Sequence, residues 1–178
     1  MGSSDFARQK TFVKLMKKSF ATNWRFAVVT YGERASVETN LTQNVNISEF
    51  EKAVDRIEKD GDGKTGVQLG MAMDLATTEI FSKTRPGITK LAVVLTDGTP
   101  MAGLDSSEVK RTLQDSRKAD VRVVTLGTGK SVDPKEWRGA LQRNQDLIQL
   151  QDSHDLMFKI RDNAAAICAA AGEYRCFC

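Results

Sequence analysis

The stretch KDGDGKTGVQLG, residues 59–70, sets a Gly-Lys-Thr triplet among further glycines and acids, a composition that could hold a phosphate or a cation. A phosphate-binding loop requires G-x-x-x-x-G-K-[ST], because its first glycine opens the nest of backbone N–H groups around the phosphates. Gly63, Lys64 and Thr65 supply the end of that pattern, but Glu58 stands five residues before Gly63 and would bring a carboxylate to the phosphate. The preceding segment also has helical periodicity where a strand is needed, so the pattern argues against nucleotide binding. A calcium loop counted from Asp60 fares no better. It puts Asp62 third, then Lys64 fifth, Thr65 where glycine is needed and Met71 where a bidentate glutamate is needed.

A second candidate is Asp97 in KLAVVLTDG, residues 90–98, which follows an apolar run and precedes Gly98. In an open parallel sheet ligands bind beyond the carboxyl ends of the strands. Asp97 is therefore either a metal or ligand group or a turn-forming aspartate. A hydrolase built on Asp97 would need a base, and the single histidine, His154, falls at the start of the last predicted helix, where a capping or solvent-exposed role is expected. Cys168 lies in an apolar helical segment with no histidine near it in sequence, so it reads as a packing or bridging residue and not as a nucleophile. Trp24 and Trp137 read as packing residues.

The elements that must position these groups follow from periodicity. Residues 5–20 read as an amphipathic helix with Phe12, Leu15, Met16 and Phe20 inward, which puts Lys14, Lys17 and Lys18 on the outer face. RFAVVTYG, 25–32, reads as a strand buried on both faces, and ASVETNLT, from 35, as a half-exposed edge strand completing a hairpin. Asn46 and Glu49 have capping-box spacing before a helix over about 47–59. Leu69, Met73, Ala76 and Ile80 mark a second, over about 65–82, stopped before Arg85-Pro86-Gly87. Strands at 90–98, 121–129 and 147–150 then alternate with helices capped at Asp105, Asp133 and Ser153, the last ending near Gly172. Repeated strand and helix units predict an α/β fold, a doubly wound, mostly parallel sheet with one antiparallel edge hairpin and helices on both faces.

Composition narrows the function classes. In 178 residues, 26 Lys and Arg are dispersed among 23 acids for a net charge of +3, which predicts a solvated surface and no nucleic-acid tract. No apolar run approaches the roughly 18 residues that a membrane span needs, so no membrane insertion by this chain is expected. The three cysteines, Cys168, Cys176 and Cys178, all lie late, and RCFC resembles the opening of a following cysteine-rich module. They are disulfide candidates. Asn40 in NLT and Asn46 in NIS are glycosylation candidates. MGSSDF lacks the apolar core of a signal peptide, so a secreted protein would have to be longer than this chain.

The chain resembles the von Willebrand factor type A domain, the fold of integrin inserted domains and many matrix and adhesion proteins. The resemblance runs through FARQKTFVKLMKKSF, RFAVVTYGERASVETNL, EFEKAVDRI, GDGKTGVQLGMAMDLATTEIF, RPGITKLAVVLTDGTP, VRVVTLGTG and DLMFKIRDNAAAIC, in the family's order. It implies a domain over 1–172, incomplete at its N-terminus, with 173–178 starting another segment. It also implies a non-catalytic role in cell adhesion or extracellular-matrix binding, extracellular or at the cell surface, with a protein ligand. An intracellular scaffold subunit is the alternative.

Such domains hold Mg2+, or Mn2+ or Ca2+, through D-x-S-x-S after the first strand, a threonine in T-x-T-G and the aspartate of TDG. By resemblance Asp97 matches the last ligand. Aligning GKTG with T-x-T-G puts Gly63 at the ligand threonine and Thr65 at the second one. The D-x-S-x-S motif and its central strand are absent, so metal requires ligands from a longer parent. The partner-binding surface implied is Asp97, Thr99, Gly63, Lys64 and Thr65. The missing strand, by resemblance, lies between those at 25–32 and 90–97. Its loss would remove about five large apolar side chains, on the order of 10 kcal/mol, so a strand-donating segment or chain is expected to fill the gap.

Overall fold

The computed structural model describes residues 3–20, 24–41, 46–59, 69–97, 106–128, 132, 134–138, 141, 143, 146–158, 162, 166 and 167. In chain order these form α1 (Ser3–Ser19), β1 (Val28–Tyr31), β2 (Ala35–Thr39), α2 (Ile47–Arg56), α3 (Leu69–Leu75), β3 (Lys90–Thr96), α4 (Ser106–Lys118), β4 (Val121–Thr128), α5 (Pro134–Arg138), β5 (Leu147–Leu150) and α6 (Ser153–Phe158). After α3 the helix widens into a π turn over Ala76–Ile80 and tightens into a 3-10 turn over Phe81–Lys83. Pro86 and Gly87 then turn the chain into β3, with Gly87 at φ 76°, a conformation that L side chains rarely adopt.

Among the described residues the strands form two sheets. β1 and β2 pair antiparallel, and β3, β4 and β5 pair in parallel in that order. The same two layers of helix cover both sheets. On one side Phe12 and Met16 of α1, Phe20 just after it and Leu156 of α6 pack with Leu91, Val93 and Leu95 of β3, with Val124 and Leu126 of β4, and with Phe26 just before β1. On the other side Leu69 and Met73 of α3, Leu113 of α4 and Trp137 of α5 pack with Ala92, Val94 and Val123, and with Tyr31 of β1. Neighbouring residues of β3 thus alternate between layers, as pleating requires. Phe50, Val54 and Ile57 in and just after α2 close a third cluster over Phe26 and Val28.

The sheets differ in how far their apolar strands are covered. β4, with a neighbour on each side, is buried at every position except Arg122. β3 is equally apolar but only Val94 is fully buried. All four residues of β1 are half-buried. The expectation that β1 is buried on both faces is therefore corrected, because that burial requires a neighbour on each edge and, among the described residues, β1 is paired on one edge.

Several local expectations change as well. Lys17 is not on the outer face: it is buried, its Nζ 4.7 Å from the Phe26 ring centroid. Lys14 and Lys18 reach Asp55 and Glu51 at 2.7 Å each, so the lysine face of α1 docks against α2. Asn46 does cap α2, accepting from the Ser48 N–H at 2.9 Å. At α6 the capping oxygen is that of Asp152, which accepts from His154 and Asp155, whereas Ser153 turns its hydroxyl to Asp5 and Arg8 of α1. Position 153 loses the cap to its neighbour because α1 supplies it with a charged partner. Asp105, Asp133 and most of the last predicted helix lie outside the described residues.

Candidate functional site at the strand ends

β3 ends at Thr96, and Asp97, half-buried, is the first residue beyond it. Two contacts fix this end of the strand. Thr128 Oγ1 donates to the Thr96 carbonyl at 3.1 Å, joining the ends of β4 and β3. Tyr31, the last residue of β1, donates its hydroxyl to the Leu95 carbonyl at 2.7 Å and so joins the two sheets. β1 and β3 therefore end on the same rim, and half-buried Asp97 is the next residue after β3 there.

Burial pushes the Tyr31 phenol well above its ordinary value, a hydrogen bond with Thr96 opposes that shift, and the Asp97 charge adds to it. The phenol is thus a neutral donor at physiological pH. Sequence reasoning missed it, and the available signal was an aromatic with a hydroxyl closing an apolar strand immediately before Gly32.

Of the sequence-predicted site residues, Asp97 alone can be located on this rim. Gly63, Lys64, Thr65 and Thr99 lie outside the described residues, as do Cys168, Cys176 and Cys178. Asn46 is exposed and occupied as a helix cap, while Asn40 is half-buried after β2. His154 is exposed in the first turn of α6, which follows β5, two strand positions from β3. Among the described residues no group of three or more His, Cys, Asp or Glu could hold a metal ion. Mg2+ prefers about six oxygen ligands in tight geometry. The described donor set therefore does not fit a resident divalent ion.

The sequence profile of the von Willebrand factor type A domain matches residues 1–166. The chain belongs to the von Willebrand factor type A domain family. Matrilin-1 of Gallus gallus is 27% identical over 165 residues, which cover 85% of this chain and 32% of matrilin-1. The collagen alpha-1(XXI) chain of Xenopus laevis is 26% identical over 141 residues, covering 78% of this chain and 14% of the collagen. The chain thus spans about a third or less of the length of these relatives. Proximal thread matrix protein 1 from the mussel byssus superposes with a TM-score of 0.79 at 20% identity, over 92% of this chain and 41% of its own. A further structure of that protein has a zinc-occupied MIDAS motif. These structures establish the type A fold, with its helices on both faces of a mostly parallel sheet.

Proposed function

We propose that this type A domain is a non-catalytic protein-binding module of an extracellular-matrix or cell-surface protein. Its ligand docks on the rim at the carboxyl ends of the parallel strands, around Asp97, Thr99 and the loop 61–65. The observation that carries this reading is Asp97 immediately beyond β3, on the rim that β1 and β3 share. Loops held on a rigid sheet suit partner binding. The matrix context of matrilin-1, of the collagen chain and of the byssus protein supports the same role and an extracellular setting. The domain occupies 1–172, and 173–178 opens a cysteine-rich segment; Cys168, Cys176 and Cys178 are disulfide candidates, and their odd number calls for at least one further thiol from the parent protein. Asn40 and Asn46 carry glycans.

A divalent ion joins the rim only where oxygen ligands beyond Asp97 and Thr65 come from other parts of the parent protein. Without them the rim binds its partner by direct contacts. A donated strand completes the sheet between β1 and β3, supported by the two separate sheets under common helix layers.

The test is retention of the purified chain on plates coated with decellularised extracellular matrix, with Mg2+ and then with EDTA. Wild type is retained saturably, and Asp97→Ala lowers retention several-fold while far-ultraviolet circular dichroism stays the same. Loss in EDTA assigns an ion to the contact, and persistence assigns direct binding. Equal retention of Asp97→Ala, or none by wild type, rejects the rim.

A further inference from the structure

The bases of this chain are dispersed in sequence, but the fold gathers one set of them at the amino ends of the parallel strands, the pole opposite Asp97. Because β3, β4 and β5 run parallel, the turns that lead into them lie side by side. Two contacts join these turns. Lys90, the first residue of β3, donates its ammonium to the Ala119 carbonyl at 3.2 Å, and Arg122 near the start of β4 meets Asp146 before β5 at 2.6 Å. The chain leading into the same three strands carries Arg85 before β3, Arg117 and Lys118 before β4, and Arg143 before β5. Strands about 4.8 Å apart spread these three tiers over roughly 10 Å.

The acids at this pole do not cancel those charges. Glu79, Asp115 and Asp146 each already hold a base: Lys83 at 3.3 Å, Lys118 at 2.7 Å and Arg122 at 2.6 Å. Asp120 is the remaining described acid of the three turns. Arg85, Arg117 and Arg143 are exposed, and among the described residues none of them is ion-paired. A helix dipole favours bases in the last turn, which accounts for Arg117 and Lys118 at the end of α4. It does not account for Arg85 or Arg143, which stand outside any helix.

A guanidinium donates two parallel hydrogen bonds to one oxyanion. Each such pair on an exposed surface is weak by itself, so a single small anion gains little here, whereas a linear chain of repeated oxyanions engages several bases at once. Among the described residues this pole exposes no aromatic ring on which a nucleic-acid base could stack. We infer that the amino-end pole binds a sulfated polysaccharide, with Arg85, Arg117 and Arg143 as the sulfate contacts and Lys90 adding charge between the first two. The choice of a sulfated glycan rests on the extracellular setting given under the proposed function. The surface itself is separate from the partner rim, at the other end of β3, so both faces can be engaged together.

The test is titration of a fluorescein-labelled heparin oligosaccharide with the 178-residue chain at several salt concentrations, read by anisotropy. Wild type binds saturably, and the logarithm of its affinity falls linearly with that of the salt concentration, as release of condensed counterions requires. The triple variant Arg85→Ala, Arg117→Ala and Arg143→Ala binds about tenfold or more weakly at low salt, with a slope shallower by about two to three. A control triple variant, Arg34→Ala, Lys52→Ala and Arg56→Ala, removes the same charge from exposed positions in the β1–β2 turn and α2 and binds as wild type. Equal loss in the control traces binding to net charge and overturns the site, as does no saturable binding by wild type. Oligothymidylate of matching length binds more weakly than heparin, and equal or tighter binding of it overturns the choice of a sulfated glycan. Asp97→Ala binds heparin as wild type whatever happens to its retention on matrix, so the rim and the pole fail separately. Loss of heparin binding in Asp97→Ala would place the glycan on the rim and reject the inference.

Discussion

Arg122 Nη2 and Asp146 Oδ1 lie 2.6 Å apart, the carboxylate wholly buried and the guanidinium side chain 14% exposed. The pair ties the start of β4 to the residue before β5. The other carboxylate oxygen, Oδ2, accepts no hydrogen bond among the described residues. Such a pair is costly to break and cheap to replace. Removing one partner leaves a buried charge and costs about 3–5 kcal/mol, whereas apolar residues in place of both are often neutral. Asp146→Ala should therefore lower urea-unfolding stability by about that amount. The double variant Arg122→Met with Asp146→Leu should lose less than Asp146→Ala. A double variant worse than the single would show that the pair contributes net stability.

Gly127, in β4, marks a close approach. A Cβ added there would lie 2.8 and 2.9 Å from the two methyl carbons of Val132, which is buried. Valine is stiff at χ1 and cannot swing its methyls aside cheaply. Gly127→Ala should destabilise by about 1–3 kcal/mol through overpacking. Adding Val132→Ala should recover part of that loss, so the two changes are non-additive in a double-mutant cycle. Strict additivity would locate the cost in the strand backbone instead.

The Tyr31 phenol gives a pH dependence with a fixed sign. Its folded-state pKa is raised, chiefly by burial, so the unfolded chain releases the proton first as pH rises. The unfolded state then binds fewer protons, and stability falls with pH. This contribution is fully present below the ordinary phenol value of about 10 and is lost progressively above it. Denaturant midpoints measured from pH 8 upward should fall with pH in wild type, and Tyr31→Phe should flatten that fall. An equal fall in both proteins would trace it to other groups.

Element types and order were legible because periodicity depends on which face each residue buries, and β3, β4 and β5 each emerged within about two residues. What was not legible depended on partners distant in sequence. Lys17 belongs by spacing with Lys14 and Lys18, yet the aromatic ring that covers it comes from Phe26 in the next segment. Ser153 has the composition of a cap, but Asp5 and Arg8, nearly the whole chain away, claim its hydroxyl. The rim was legible as Asp97 after an apolar run. Tyr31 was not, because its role comes from a carbonyl on a strand to which β1 is not paired. The half-burial of β1 and β3 likewise reflects neighbours that composition does not count.

Lys17 supplies a pH effect opposite to that of Tyr31. Burial lowers its pKa from 10.5, which means that the folded surroundings disfavour its charge. Its bond to the Trp24 carbonyl is long, at 3.4 Å, and weak for that reason. The contact with Phe26 is worth roughly 0.5–1 kcal/mol at an exposed site and about 2 kcal/mol or more when desolvated, and it opposes the desolvation that lowers the lysine's pKa. Between its folded and unfolded pKa values the unfolded chain holds more protons, so Lys17 makes stability rise with pH in the window just below 10.5. Lys17→Met keeps the apolar stem over Phe26 and removes the charge. It should raise the thermal midpoint at neutral pH and abolish the rise in that alkaline window. A lower midpoint at neutral pH would mean that the ring contact outweighs desolvation, and that the lysine is there to hold Phe26.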